Sequence, residues 1–165
     1  MSSQSQVLSI TGVILLLGVK MHLIQFEIEH FDMMNLDDNG FVSREGRAMF
    51  EAYPKIGPAI TLLNDSLEVV ACAGVIVPYQ GMGEFWMIPG SLVPRYGLTV
   101  FKEAKRFIAD TVERFSLHRI QATVREVDQR AVRWIERLGF EREGLMKRFG
   151  CDDRNYFMYA RVSDV

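Results

Sequence analysis

From Ala131 onward the apolar residues Ala131, Val132, Ile135 and Leu138 recur at helical spacing, behind Asp128 as a capping residue and ahead of Gly139. The pattern predicts a helix over 128–138, closed by a glycine in the left-handed conformation, with Phe140 buried beneath the corner. Upstream, Val100, Phe101, Ala104, Ile108, Val112 and Phe115 step by three and four and predict the longest helix, over 98–115. "HLIQFEI" alternates apolar and polar positions as a half-buried strand does. "EHFDMMNL" follows as a short helix with Phe31, Met34 and Leu36 inward. "SREGRAMFEAY" restarts one after the Asp37-Asp38-Asn39-Gly40 turn, with Ser43 as its cap. "PAITLLNDSLEVVACAGVIVPY" is two β-rich runs joined by Asn64-Asp65-Ser66, a hairpin pattern, and Gly74 inside the second run marks a bulge or a close backbone approach. "GEFWMIP", "RIQATVREV", "FEREGLMKRF" and "NYFMYARV" read as further strands, the last two an antiparallel pair around a turn at 150–153.

The resulting order is strand, helices, hairpin, strand, helix, strand, helix, two strands. Hairpins combined with one strand–helix–strand crossover predict an α/β chain whose mixed sheet carries helices on both faces. No repeat or linker interrupts it, so 21–165 is expected to be a single domain, preceded by an apolar extension over 1–20. Within that extension Val7 to Val19 is uninterrupted by charge, yet shorter than the roughly 20 residues a membrane-spanning helix needs. No positive side chain precedes it, as a signal peptide would require. An extra strand, a segment packed on a neighbouring chain, and a natural start at Met21 are the readings left open, and no membrane partner is expected.

Composition narrows the chemistry. With 48% hydrophobic and 24% charged residues, net charge −2 and pI near 5.9, the chain is globular and lacks the basic excess of general nucleic-acid binders. The cysteines Cys72 and Cys151 support neither a disulfide framework nor a CxxC zinc site, and a reducing cytoplasm is the expected location. "NLDDNGFVSREG" imitates a calcium loop, but Gly46 stands at position twelve in place of the bidentate glutamate. Cys151 has no histidine near it in sequence, so a nucleophilic role is not supported. No metal site is expected.

The stretch "DQRAVRWIERLGFEREGLMKRFGCDDRNYFMYARV" resembles the C-terminal half of a GCN5-related N-acetyltransferase, in the branch that acetylates protein N-termini and small amines. The resemblance is strongest over Arg119 to Val162, fair over the hairpin and Glu84–Ile88, and fades before about Pro58. It implies a central, mostly antiparallel sheet with helices on both faces, acetyl-coenzyme A as cosubstrate, and an amine that attacks the thioester directly in a ternary complex. It also implies a cofactor cleft where strands matching Glu84–Ile88 and Arg119–Val127 splay apart. Trp86, Met87 and Ile88, the run Arg95, Tyr96, Gly97, Leu98 and Thr99, and Asp128 and Trp134 would then line that cofactor, and a homodimer is a further expectation.

Three positions depart from the family pattern. In "PRYGLT" Pro94 replaces the basic or amide residue of the pyrophosphate loop, Gly97 matches, and Thr99 replaces the last small residue. Ile135 stands where many members carry a tyrosine acid, and it cannot protonate a thiolate. Asp128 replaces the usual asparagine, and serves either the pantetheine arm or the helix cap. Glu84, at the cleft mouth, is the candidate general base, with a solvated strand-end charge as the alternative. Tyr156 and Tyr159 either line an acceptor pocket or pack in the core. The rival reading is a virion-assembly or protein-interaction scaffold, similar to the acetyltransferase-like proteins of short-tailed bacteriophages, whose loop also carries Pro and Arg. A third is an acyl-coenzyme A binder without turnover. The run Pro94–Thr99 is the discriminating feature.

Overall fold

Apolar alternation sorts the strands onto two faces of one sheet. The computed structural model of the chain describes residues 21–34, 36 and 44–163. Its strands are β1 (His22–Gln25), β2 (Ala59–Leu63), β3 (Val69–Tyr79), β4 (Met82–Pro89), β5 (Arg119–Arg125), β6 (Glu141–Met146) and β7 (Tyr156–Val162). Its α-helices are α1 (Arg44–Ala52), α2 (Val93–Arg114) and α3 (Gln129–Arg137), with short 3-10 turns at Ile28–Phe31 and Tyr53–Lys55. The strands lie in the order β1-β2-β3-β4-β5-β7-β6. Every neighbouring pair is antiparallel except β4 with β5, the one pair joined through a helical crossover.

On the first face, Val100 and Ile108 of α2, Val132 and Ile135 of α3 and Leu138 just after it close over Val70, Val75, Phe85, Ile120 and Ala122. On the second face, Phe26, Phe31, Met34 and Phe50 pack with Cys72 and Ile88, and Trp86 and Tyr53 join them. Phe85 and Trp86 are adjacent in sequence and belong to opposite cores, as the two-residue period of a strand requires. Gly74 is a close approach rather than a bulge: β3 keeps its register there, and a Cβ would meet the indole of Trp86 at 2.7 Å. The predicted corner is present, with Gly139 at φ +87° and Phe140 buried.

Two boundaries differ from the sequence reading. β1 stops at Gln25 because Glu27 opens the 3-10 turn with a reciprocal cap, its N–H donating to Nδ1 of His30 at 3.1 Å. α2 begins at Val93 rather than Leu98. Pro94 falls in its first turn, where the missing N–H is no loss, while Val93 N–H donates to Gly90 O and Arg95 N–H to Leu92 O. The apolar extension, the Asp37–Gly40 turn and the Ser43 cap lie outside the described residues. Among the described residues no helix is long and apolar enough to cross a membrane.

Candidate active site at the fork between β4 and β5

The two parallel strands at the centre of the sheet stay together only briefly. They pair at Met82↔Arg119, Gly83↔Ile120 and Glu84↔Gln121. β4 nevertheless holds β3 out to Pro89↔Ala71, and β5 holds β7 out to Arg125↔Tyr156. Past Glu84 and Gln121 the facing edges of β4 and β5 therefore have no ladder between them. Backbone polar groups inside a sheet must find other partners, so this slot is where an extended, amide-bearing chain can pair with strand edges.

On the helical face the slot is walled by aromatic rings. Trp134 of α3 stacks on Phe85 at 6.3 Å and meets Phe101 of α2 edge-on at 6.1 Å, and Met87 packs against the same core. On the opposite face lies polar chemistry. Glu84 accepts a hydrogen bond from Gln121 Nε2 at 3.4 Å, and Gln121 Oε1 accepts from Arg119 Nε at 3.2 Å. Arg119 in turn grips Glu143 of β6 with both terminal nitrogens, at 2.9 and 2.6 Å. The Arg119 hydrogen bond holds the Glu143 carboxyl below its ordinary range. Beside Glu84, burial and then the Glu84 charge push the Tyr53 hydroxyl up to about 12, so it stays protonated at neutral pH. Trp86 and Ile88, from the same face of β4, belong to the aromatic core; the Trp86 ring lies 5.4 Å from Phe26, 5.1 Å from Phe50 and 5.6 Å from Tyr53.

At the far end of β4 the chain enters α2. Gly90 N–H donates to Val70 O at 2.9 Å, and a Cβ on Gly90 would sit equally close to that oxygen, so only glycine fits. The run "PRYGLT" is not a loop but the opening of α2. The N–H groups of Leu98, Thr99 and Val100 thus lie inside the helix rather than at its start. Among the described residues, no hydrogen bond is made to the N–H of Ser91 or Leu92, and no side chain caps this helix. Arg95 is exposed and lies 5.5 Å from the Tyr96 ring centre, while the Tyr96 hydroxyl accepts from Asn64 Nδ2 at 3.3 Å and so faces the β2–β3 turn. Leu98 is exposed, Thr99 is half-buried, and a Cβ on Gly97 would meet nothing within 4 Å. A depression of about 290 Å³ beside Ser91 and Leu92 is lined otherwise by Met33, Leu67, Glu68 and Val69, on the hairpin side and away from the fork.

The remaining sequence candidates make the following contacts. Asp128 Oδ1 accepts from the N–H of Arg130 at 3.1 Å and of Ala131 at 3.0 Å, the cap that its position predicts. Ile135 is buried in the core, and Tyr159 is buried with its hydroxyl on Glu136 at 2.9 Å. Tyr156 is buried too, its hydroxyl accepting from Arg125 Nε at 3.0 Å. Gln121, Arg119, Glu143, Tyr53, Ser91 and Leu92 were not singled out by sequence. The polar phase of "RIQATVR" was the available signal for Gln121 and Arg119.

No family model matches the chain, and no curated protein sequence matches it. Solved structures do. A chimeric spermidine N-acetyltransferase from Vibrio cholerae aligns with TM-score 0.68 and 15% identity, over 86% of this chain and 95% of that one. The ribosomal-protein-S5-alanine acetyltransferase of Vibrio fischeri aligns with TM-score 0.66 and 13% identity, over 93% and 97%. An acetyltransferase of the GNAT family from Bacillus anthracis aligns with TM-score 0.64 and 16% identity, over 86% and 94%. With its mostly antiparallel seven-stranded sheet, its central parallel fork and helices on both faces, the chain has the fold of the GCN5-related N-acetyltransferases.

Proposed function

We propose that the chain is an acetyl-coenzyme A dependent N-acetyltransferase acting on an amine. The observation that carries the reading is the fork itself, with Glu84 on the last ladder pair before the strands part. The residues present fit the cosubstrate. The unladdered edges of β4 and β5 suit the two amides of a pantetheine arm, and the uncapped α2 start suits its phosphates. The phosphate contacts fall on the Ser91 and Leu92 N–H groups and the Arg95 side chain, because the N–H groups further along are bonded within the helix. Trp134, Phe85 and Met87 wall the arm on the helical face.

Acetyl-coenzyme A supplies an acetyl group already activated as a thioester. Glu84 takes the proton that the amine must lose to attack, directly or through a water, as the carbon–nitrogen bond forms and the carbon–sulfur bond breaks. With Ile135 in the core, the proton that the departing thiolate acquires comes through water. The acceptor stands on the Glu84 face, where a carboxylate beside the rings of Tyr53 and Trp86 favours a cationic amine. Two of the similar enzymes are described as acting on spermidine and on the alanine of ribosomal protein S5. A polyamine and an alanine-initiated peptide are accordingly the first acceptors to assay.

One observation favours a second reading, a scaffold that binds protein instead: Pro94 and the closed bonds of Val93 and Arg95 leave α2 few donors for a phosphate. Thermal unfolding with acetyl-coenzyme A separates the two. At a hundredfold the dissociation constant the ligand adds about 2.7 kcal/mol, a clear rise in Tm, and no rise at saturating cosubstrate would leave only the scaffold. Given binding, Glu84→Gln is expected to cut the rate by about 10²–10⁴-fold. Full activity in that variant removes Glu84 from the chemistry.

A further inference from the structure

The sequence singles out Glu84 alone, but the fold does not leave it alone. Glu84 and Gln121 form the last paired position of the fork, so their side chains share one face of the sheet at its vertex. A carboxylate there has rotamer freedom toward the open slot, and a base that wanders is a poor base. What restrains it comes from two other strands. Gln121 reaches it with Nε2, and the amide orientation is dictated from behind, because Arg119 has only donors to offer and must meet the carbonyl oxygen. Arg119 cannot turn away, since its other two nitrogens are held by both oxygens of Glu143. Glu143 owes its place to an irregularity of register between Arg142 and Gly144, which gives β6 an extra residue opposite β7.

Resting on the reading of Glu84 as the base, we infer that Gln121, Arg119 and Glu143 form a positioning chain that aims the Glu84 carboxylate into the fork. Each link is polar, and donation radiates from Arg119: its terminal nitrogens donate to Glu143 of β6, its Nε donates to Gln121 two residues along β5, and Gln121 donates to Glu84 of β4. The irregularity in β6 acquires a purpose on this account, since the residue it inserts, Glu143, is the one whose carboxylate anchors Arg119. Among the described residues, the charged and titratable groups around Glu84 are then Tyr53 from the 3-10 turn Tyr53–Lys55, Arg119 from the same face of β5 as Gln121, and Glu143 from β6.

The test has a readout that needs no substrate. In the full chain labelled with ¹³C, the Glu84 carboxyl signal, assigned by its disappearance in Glu84→Gln, is followed against pH in the parent and in Gln121→Glu, Arg119→Ala and Glu143→Gln. Gln121→Glu places a second carboxylate beside Glu84, and the Glu84 midpoint is expected to rise by about one pH unit or more. Arg119→Ala frees the amide to rotate and removes a nearby positive charge, and a smaller upward movement follows; Glu143→Gln removes a negative charge and leaves the Arg119 charge unneutralised, and a small downward movement follows. Glu143 is exposed enough that its variant keeps the fold, which a thermal unfolding curve confirms. Unchanged midpoints in all three variants overturn the proposal. In the assay, Gln121→Leu lowers kcat about tenfold without altering the KM for acetyl-coenzyme A, and Arg119→Lys restores part of what Arg119→Ala loses. Should the midpoints move while Glu84→Gln remains fully active, the positioning chain stands and the base assignment falls; the two failures are therefore distinct.

Discussion

The two helices that flank the fork begin in opposite ways. α3 starts behind Asp128, whose carboxylate takes the N–H groups of Arg130 and Ala131. α2 starts behind Leu92 with no side-chain hydrogen bond capping its first turn, and the N–H groups of Ser91 and Leu92 lie outside the helix without an acceptor among the described residues. Both starts carry the positive end of a helix dipole. A capped start has already spent its donors on its own chain, whereas an uncapped one keeps them for an anion. The cap, more than the presence of a helix or of a glycine, separates the start built for stability from the one open to a ligand.

The largest test of that contrast is at the closed end of α3. Phe140 lies 6.5 Å from Phe85 and seals the corner where α3 meets β6. Phe140→Ala is expected to cost about 3–5 kcal/mol in urea unfolding, and a loss under 1 kcal/mol would show the corner to be dispensable. Next comes the open start. Ser91→Pro deletes a donor just ahead of α2 that has no acceptor among the described residues, and Arg95→Ala deletes the exposed charge. Each is expected to weaken acetyl-coenzyme A binding about tenfold, or about 1.4 kcal/mol, while the unliganded Tm stays within a degree or two. Calorimetric titration reads the affinity, and unaltered values would move the phosphates elsewhere.

Asp128→Ala makes the converse cut. Removing the cap should cost about 1 kcal/mol of stability and leave the affinity for acetyl-coenzyme A as it was. A selective loss of affinity would instead assign Asp128 to the pantetheine arm. The smallest effect is expected at Gly97, which the structure places inside α2 facing open space. Gly97→Ala should stabilise by about 0.5–1 kcal/mol, because it removes chain entropy from the unfolded state without a clash. If it abolishes binding while raising Tm, the open space over Gly97 belongs to the cosubstrate.

Most of the elements were legible in the sequence. α3, its Asp128 cap, the left-handed Gly139 and the buried Phe140 follow from local spacing and from the conformations each residue tolerates. The strands were legible for the same reason, since alternation records which side chains meet a core. The start of α2 was not. Pro94 and Gly97 read as loop punctuation, yet Pro94 is harmless in a first turn and Gly97 is simply carried by a long helix. Its early start follows instead from Gly90, tied to β3 through Val70 O, which brings its own carbonyl under Val93 N–H.

The candidate site divides along the same line. Glu84 could be named from its place on a cleft strand, but its partners could not. Gln121, Arg119, Glu143 and Tyr53 come from three separate stretches, and only the register of β4 on β5, the irregularity in β6 and the packing of Tyr53 on Trp86 bring them to one place. A slip of one residue in any of these pairings would turn the side chain concerned to the other face. Sequence by itself determined the elements, their order and the face each residue presents, because those depend on backbone sterics and on a periodicity of a few residues. Tertiary structure decided where β4 and β5 part and which polar groups meet at the parting, because strand pairing between distant segments is set by the whole packed sheet.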